Sequence, residues 1–123
     1  MGLTTLSVGV ANPKNGRRSE RVKCIVDTGA TYSVIQASTL GKLGIQPDDE
    51  VTLSLADGRE ILRKVGVAQF VVGGKSRPST VIIGQAGDVN LLGVVTLEVM
   101  GLFLDPLRRE LLPLKIMIAG SRS

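Results

Sequence analysis

The sequence predicts a small all-β domain carrying one or two short helices, and three observations carry that expectation. Short runs rich in Val, Ile, Leu and Thr recur between Gly, Pro, Asn and Asp breakers, helical periodicity is scarce, and 123 residues leave room for one domain only. Strands that close on one another without long helices make a small, Gly-punctuated β-barrel or sandwich.

Taken in order, a first strand is expected over residues 3–10, then a turn at Asn12-Pro13-Lys14-Asn15-Gly16 and a second strand over 21–26. A brief strand at Val34-Ile35 leads to a short helix over 37–42. Strands over 51–55 and 60–72 flank Ala56-Asp57-Gly58, and Asn-Gly and Asp-Gly are strong turn signals because both residues tolerate positive φ. Gly73-Gly74-Lys75-Ser76-Arg77-Pro78 reads as the next turn, followed by a strand over 79–83. A second short helix over 95–100 is stopped by Gly101, which can take the left-handed C-terminal position. The apolar stretch over 111–118 is the last strand; unpaired, it would be an aggregation-prone edge. Residues 1–119 are read as one domain and Gly120-Ser121-Arg122-Ser123 as a frayed polar tail.

The inventory of side chains narrows the chemistry. There is no His, so Ser-His-Asp and Cys-His pairs and imidazole zinc ligands are excluded. The single cysteine, Cys24, can form no disulfide within the chain and reads as a buried apolar thiol. Fifteen Lys plus Arg against eleven Asp plus Glu give a net charge of +4, but the basic residues are spread along the chain. Only Tyr32, Phe70 and Phe103 are available to stack on bases, so solvated loop charge is a better account than nucleic-acid binding. The N-terminus has neither a secretory pattern nor a myristoylation signal, Leu6 standing where Ser or Thr is wanted, and no apolar run is long enough to span a bilayer. A cytoplasmic protein without membrane contact is the expectation.

Most short motifs fail on inspection. Gly73-Gly74-Lys75-Ser76 is no phosphate loop, because the required first glycine falls at Gln69 and no helix pattern follows. Asp48-Asp49-Glu50, beside Pro47, reads as a solvated turn, and neither a metal nor an organic cofactor is expected. The informative stretch is Ile25-Val26-Asp27-Thr28-Gly29-Ala30-Thr31-Tyr32-Ser33-Val34-Ile35: an apolar strand runs into Asp27, Thr28-Gly29-Ala30 makes a tight turn, and the chain returns to an apolar pair. A carboxylate placed directly after a buried strand is poorly solvated and its ionisation needs specific support.

These residues resemble the retropepsin-like aspartic proteases, the short dimeric members of that class. Ile25-Val26-Asp27-Thr28-Gly29-Ala30 matches the family pattern of two apolar residues followed by Asp-Thr/Ser-Gly-Ala/Ser. Leu91-Leu92-Gly93 followed by an apolar helical run matches the second element, two apolar residues and a Gly, and residues 51–72 fill the slot of the β-hairpin flap. The resemblance implies a small closed β-barrel of the retropepsin type, with Asp27 as the catalytic carboxylate and Thr28, Gly29 and Ala30 as its loop. It further implies Thr31 and the flap turn Asp57-Gly58-Arg59 at the substrate, and Leu91, Leu92 and Gly93 as the supporting loop. Two positions depart from the retroviral pattern: Thr31 stands where Asp is common and Val94 where Arg is common. Since that Asp and Arg pair with each other, their joint absence strands no charge.

A pair of carboxyls a few Å apart cannot both ionise without strong repulsion, so one serves as base toward a water and the other as acid toward the peptide carbonyl; aspartic proteases are the standard illustration. The chain has one Asp-Thr-Gly turn, and Asp57, Asp88 and Asp105 sit in dissimilar contexts. The second carboxylate is therefore expected from Asp27 of another copy across a two-fold axis, making a homodimer that takes a peptide or protein substrate. The alternative is a non-catalytic dimeric β-barrel that binds extended peptides through the same groove.

Overall fold

The computed structural model describes residues 3–114, whose strands form a ring. β1 (Thr4–Asn12) and β2 (Asn15–Val26) make a long antiparallel hairpin, and β3 (Ser33–Gln36) runs into α1 (Ala37–Lys42). β4 (Asp49–Ser54), β5 (Glu60–Val72) and β6 (Lys75–Gly84) follow as an antiparallel meander. β7 (Leu91–Leu92) precedes α2 (Val94–Val99), and β8 (Leu102–Asp105) pairs with β9 (Glu110–Pro113) in a separate two-stranded sheet. The large sheet has the order β1-β2-β7-β3-β6-β5-β4, and β1 also pairs with β5 at Gly9↔Val71, Val10↔Phe70 and Ala11↔Gln69. That last pairing closes the ring and leaves β4 outside it, paired among the described residues with β5 alone.

Burial follows from this closure. β5 alternates exposed and half-buried residues over Glu60–Lys64, where it pairs with β4, and becomes mostly buried from Val65 onward, where it joins the ring. The far half of the β4–β5 hairpin thus stands away from the core with one face inward. Inside the ring, Val8, Val10, Val22, Cys24, Ile35, Phe70, Val81 and Leu92 pack with Leu40 of α1, Leu97 of α2 and Met100 just past its end. Cys24 is fully buried, as expected, and burial pushes its thiol up to about 12.

Several boundaries differ from the sequence expectation for identifiable reasons. Only Gly73-Gly74 turns, with φ of 55° and 80°, and β6 already begins at Lys75. Pro78 lies inside β6, opposite Gln69, on the stretch that β3 does not reach; β3 pairs from Val81 to Gly84, and an edge left unpaired among the described residues tolerates a residue without an N–H. β2 likewise starts at Asn15, six residues early, because its hydrophilic first half pairs with β1 in the open hairpin. β7 and β8 are additional strands, and α2 begins one residue before the expected helix. Gly101 ends α2 at φ 72°, as the sequence predicts. Of the expected last strand, β9 accounts for residues up to Pro113; residues 115–118 and the tail over 120–123 lie outside the described residues.

Candidate active site

Asp27 stands where β2 leaves the sheet. The strand is held on one side by β7, through Ile25↔Leu91 and Val26↔Leu92, and the last bond of that ladder is donated by the Asp27 N–H to the Leu92 carbonyl at 3.1 Å. The chain then reverses: the Ala30 N–H donates to the Asp27 carbonyl at 3.1 Å, and the Gly29 N–H donates to Asp27 Oδ1 at 2.9 Å. This side-chain-to-backbone bond is the Asx-turn chemistry for which an Asp-x-Gly triplet is suited. Asp27 is half-buried, while Thr28 and Gly29 are exposed.

A second loop crosses directly beneath. The Val94 N–H donates to the Ala30 carbonyl at 2.9 Å and the Val95 N–H to the Thr31 carbonyl at 3.0 Å, so residues 92–95 are stitched to residues 27–31 by three backbone bonds. Gly93 lies at the crossing, where a Cβ would come within 2.5 Å of the Tyr32 carbonyl carbon and 2.7 Å of its oxygen. The two motifs that the sequence singles out, separated by more than sixty residues, therefore meet as one unit, with Leu91 and Leu92 providing the strand that clamps the end of β2 beside Asp27.

The turn stands between two concavities. Gly29, Ala30, Thr31 and Tyr32 line a cleft of about 370 Å³ whose opposite wall is Thr52, Leu53, Ser54 and Leu55 of the β4–β5 hairpin. Thr28 lines another of about 270 Å³, with Val94, Leu97, Leu102 and Phe103. The structure brings Thr31 to the first cleft but leaves Asp57, Gly58 and Arg59 at the exposed hairpin tip, where they line neither. There Asp57 accepts from the Arg59 N–H at 3.0 Å and from its Nε at 2.7 Å, bonds that hold its carboxyl below the usual range, and Gly58 turns the chain at φ 88°. The other carboxylates considered from sequence are also engaged away from Asp27: Asp88 with Arg63, and Asp105 with the N–H groups of Leu107 and Arg108.

Three features of the site escape a reading of the sequence. Asn90 ties the loop after β6 to the centre, its Oδ1 accepting from the Gln36 N–H at 2.9 Å and its carbonyl from the Ile25 N–H at 3.0 Å. Asp88 in that loop receives Arg63 of β5 through Nε at 2.9 Å and Nη2 at 3.2 Å, a paired contact at the back of an adjoining apolar cleft lined by Val34, Leu53, Leu55, Ile82 and Leu91. Ser33, Thr96 and Ser79 form a buried hydroxyl chain. Only Thr96 carries a sequence signal, as a lone hydroxyl in the apolar run Val94-Val95-Thr96-Leu97.

Comparisons with known proteins agree with this architecture. Residues 15–99 match the family described as "gag-polyprotein putative aspartyl protease", and the chain belongs to this retropepsin-like aspartyl protease family. Among solved structures, the retroviral protease-like domain of Ddi1 from Leishmania major superposes with a TM-score of 0.55 at 20% identity, over 94% of this chain and 92% of that one. EIAV protease, solved in complex with the inhibitor HBY-793, gives a TM-score of 0.55 at 15% identity, over 75% of this chain and 82% of that one. At these identities the structural likeness defines the fold. No curated protein matches by sequence.

Proposed function

We propose that the protein is a homodimeric aspartic endopeptidase in which Asp27 of two copies forms the catalytic pair. The observation that carries this reading is the mounting of Asp27: a carboxylate at the end of a buried strand, its backbone clamped by Leu92 and one oxygen held by the Gly29 N–H. Such a carboxylate is pre-oriented, and orientation is what a general base acting on water requires. With two copies related by a two-fold axis, the ionised Asp27 takes a proton from water as the water attacks the peptide carbonyl. The protonated Asp27 donates a hydrogen bond to the carbonyl oxygen as charge develops there. No imidazole, metal or covalent intermediate enters.

The cleft of about 370 Å³ between Gly29–Tyr32 and Thr52–Leu55 would receive an extended peptide, and the β4–β5 hairpin, attached to the ring along one edge among the described residues, would close on it. Asp27→Asn keeps the shape and removes the proton chemistry. It is expected to abolish cleavage of a diverse peptide library while leaving a folded dimer, measured by circular dichroism and sedimentation. A wild-type chain that binds peptides but cleaves none at any pH would replace the protease by the peptide-binding module.

A further inference from the structure

We infer that the buried hydroxyl chain Ser33–Thr96–Ser79 fixes the position of Asp27, acting through the single peptide unit that joins Leu92 to Gly93. The kinetic side of this inference rests on the proposed function; its structural side does not. The three residues come from β3, α2 and β6, and Ser33 and Thr96 are completely buried. Ser33 Oγ lies 2.6 Å from Thr96 Oγ1, which lies 3.1 Å from Ser79 Oγ, and Ser33 Oγ also accepts from the Gly93 N–H at 2.9 Å.

A peptide unit is planar and rigid, and in the trans form its C=O and N–H point in opposite directions. In the unit between Leu92 and Gly93, the carbonyl receives the Asp27 N–H and the N–H is received by Ser33. Ser33 therefore holds one end of a stiff bar whose other end holds the backbone of Asp27. Rotation of that plane by a few tens of degrees would swing the Leu92 oxygen off the Asp27 N–H, and the Gly93 N–H bond to Ser33 is what opposes it. Thr96 and Ser79 hold the Ser33 hydroxyl in turn.

Burying three hydroxyls is a poor way to gain stability, because each loses water and regains about as much from its new partner. Among the described residues no buried side-chain N or O is left without a partner. A fully satisfied network of this kind supplies direction instead: an apolar trio of the same volume would fill the space without fixing the peptide plane. Ser33, Thr96 and Ser79 are thus positioning residues and touch no substrate.

Two substitutions separate the hydroxyl from the volume it occupies. Thr96→Val keeps the shape and removes the hydroxyl; Thr96→Ser keeps the hydroxyl and removes a methyl. In Thr96→Val, amide exchange at Asp27 and Gly93 is expected to accelerate while Val22 and Cys24 of β2 retain their protection, and kcat on a cleaved peptide falls roughly ten- to a hundred-fold at little changed KM. Thr96→Ser is expected to keep wild-type exchange at those two amides and kcat within about twofold, a rescue that a purely structural role would not give. Should Thr96→Val fail to fold, Ser33→Ala removes the acceptor of Gly93 directly and is read the same way. Unchanged exchange at Asp27 and Gly93 in the hydroxyl-free variant, or losses in both Thr96 variants that merely track global unfolding, would overturn the inference. If the wild type cleaves no peptide, the proposed function fails, and the exchange measurement still decides this one.

Discussion

Gly93 occupies a point where two backbones cross with no room for a side chain. The atoms a Cβ would strike are the Tyr32 carbonyl and the Ser33 nitrogen, at 2.5, 2.7 and 2.9 Å, and a backbone that carries the Asp27 turn cannot step aside as a flexible side chain can. Gly93→Ala is therefore expected to cost about 2–3 kcal/mol of stability, read from urea unfolding. An alanine variant as stable as the wild type would mean that the two backbones cross with room for a side chain. Cys24 gives a second test at this scale. Burial raises its thiol to about 12, so almost no thiolate exists near neutrality and the sulfur is shut away from solvent. Iodoacetamide should leave Cys24 unmodified in native buffer and alkylate it fully in denaturant, followed by mass spectrometry; rapid native labelling would contradict the buried placement.

Between elements, the Arg63–Asp88 pair links the β4–β5 hairpin to the loop that walls the adjoining apolar cleft, and Gln36 Nε2 adds a bond to the Asp88 carbonyl. Arg63 holds the Asp88 carboxyl below the ordinary carboxylate range, and the Gln85 N–H at 2.9 Å contributes. A carboxyl whose folded value is depressed stabilises the fold above its unfolded value and loses that contribution as pH falls through the folded one. Asp88→Asn should thus cost about 1 kcal/mol near neutrality, and the gap to wild type should close as pH drops below about 4, in unfolding curves across pH. A gap that persists at low pH would assign the loss to packing. Such pairs also mark where reading a sequence stops. The β1–β2 hairpin, α1 and the Gly101 stop were legible from local signals, although the chain turns at Pro13-Lys14 and the expected turn residues Asn15-Gly16 already belong to β2. The core of the site was legible as two motifs, Asp27-Thr28-Gly29 and Leu91-Leu92-Gly93. Arg63 with Asp88, Asn90 with Gln36, and the two-residue β7 are pairings between distant segments, and β7 is too short to carry any period of its own. The hairpin tip, expected at the substrate, lies outside the cleft wall in this structure: Asp57 and Arg59 satisfy each other, and Thr52–Leu55 form the wall.

For the whole molecule, the decisive quantity is the number of suitably mounted carboxylates per chain. Asp27 is mounted on the strand end; Asp57, Asp88 and Asp105 are spent on local contacts, so the proposed chemistry needs a second copy. Two adjacent carboxyls repel strongly when both are ionised, so the proposed pair acts as one base and one acid and neither copy can do the work of both. The test uses subunit mixing. Asp27→Asn chains that fold and pair normally are added to an equal amount of wild type under conditions that let subunits exchange. About a quarter of the dimers then carry two Asp27 side chains, so activity per wild-type chain should fall to about half, and further as the variant is added in excess. An active monomer would be indifferent to the variant, and activity per wild-type chain would hold constant at every ratio. That constant would end the shared-site reading even if the wild type proves to be an efficient protease, because it would show that one copy of Asp27 is enough.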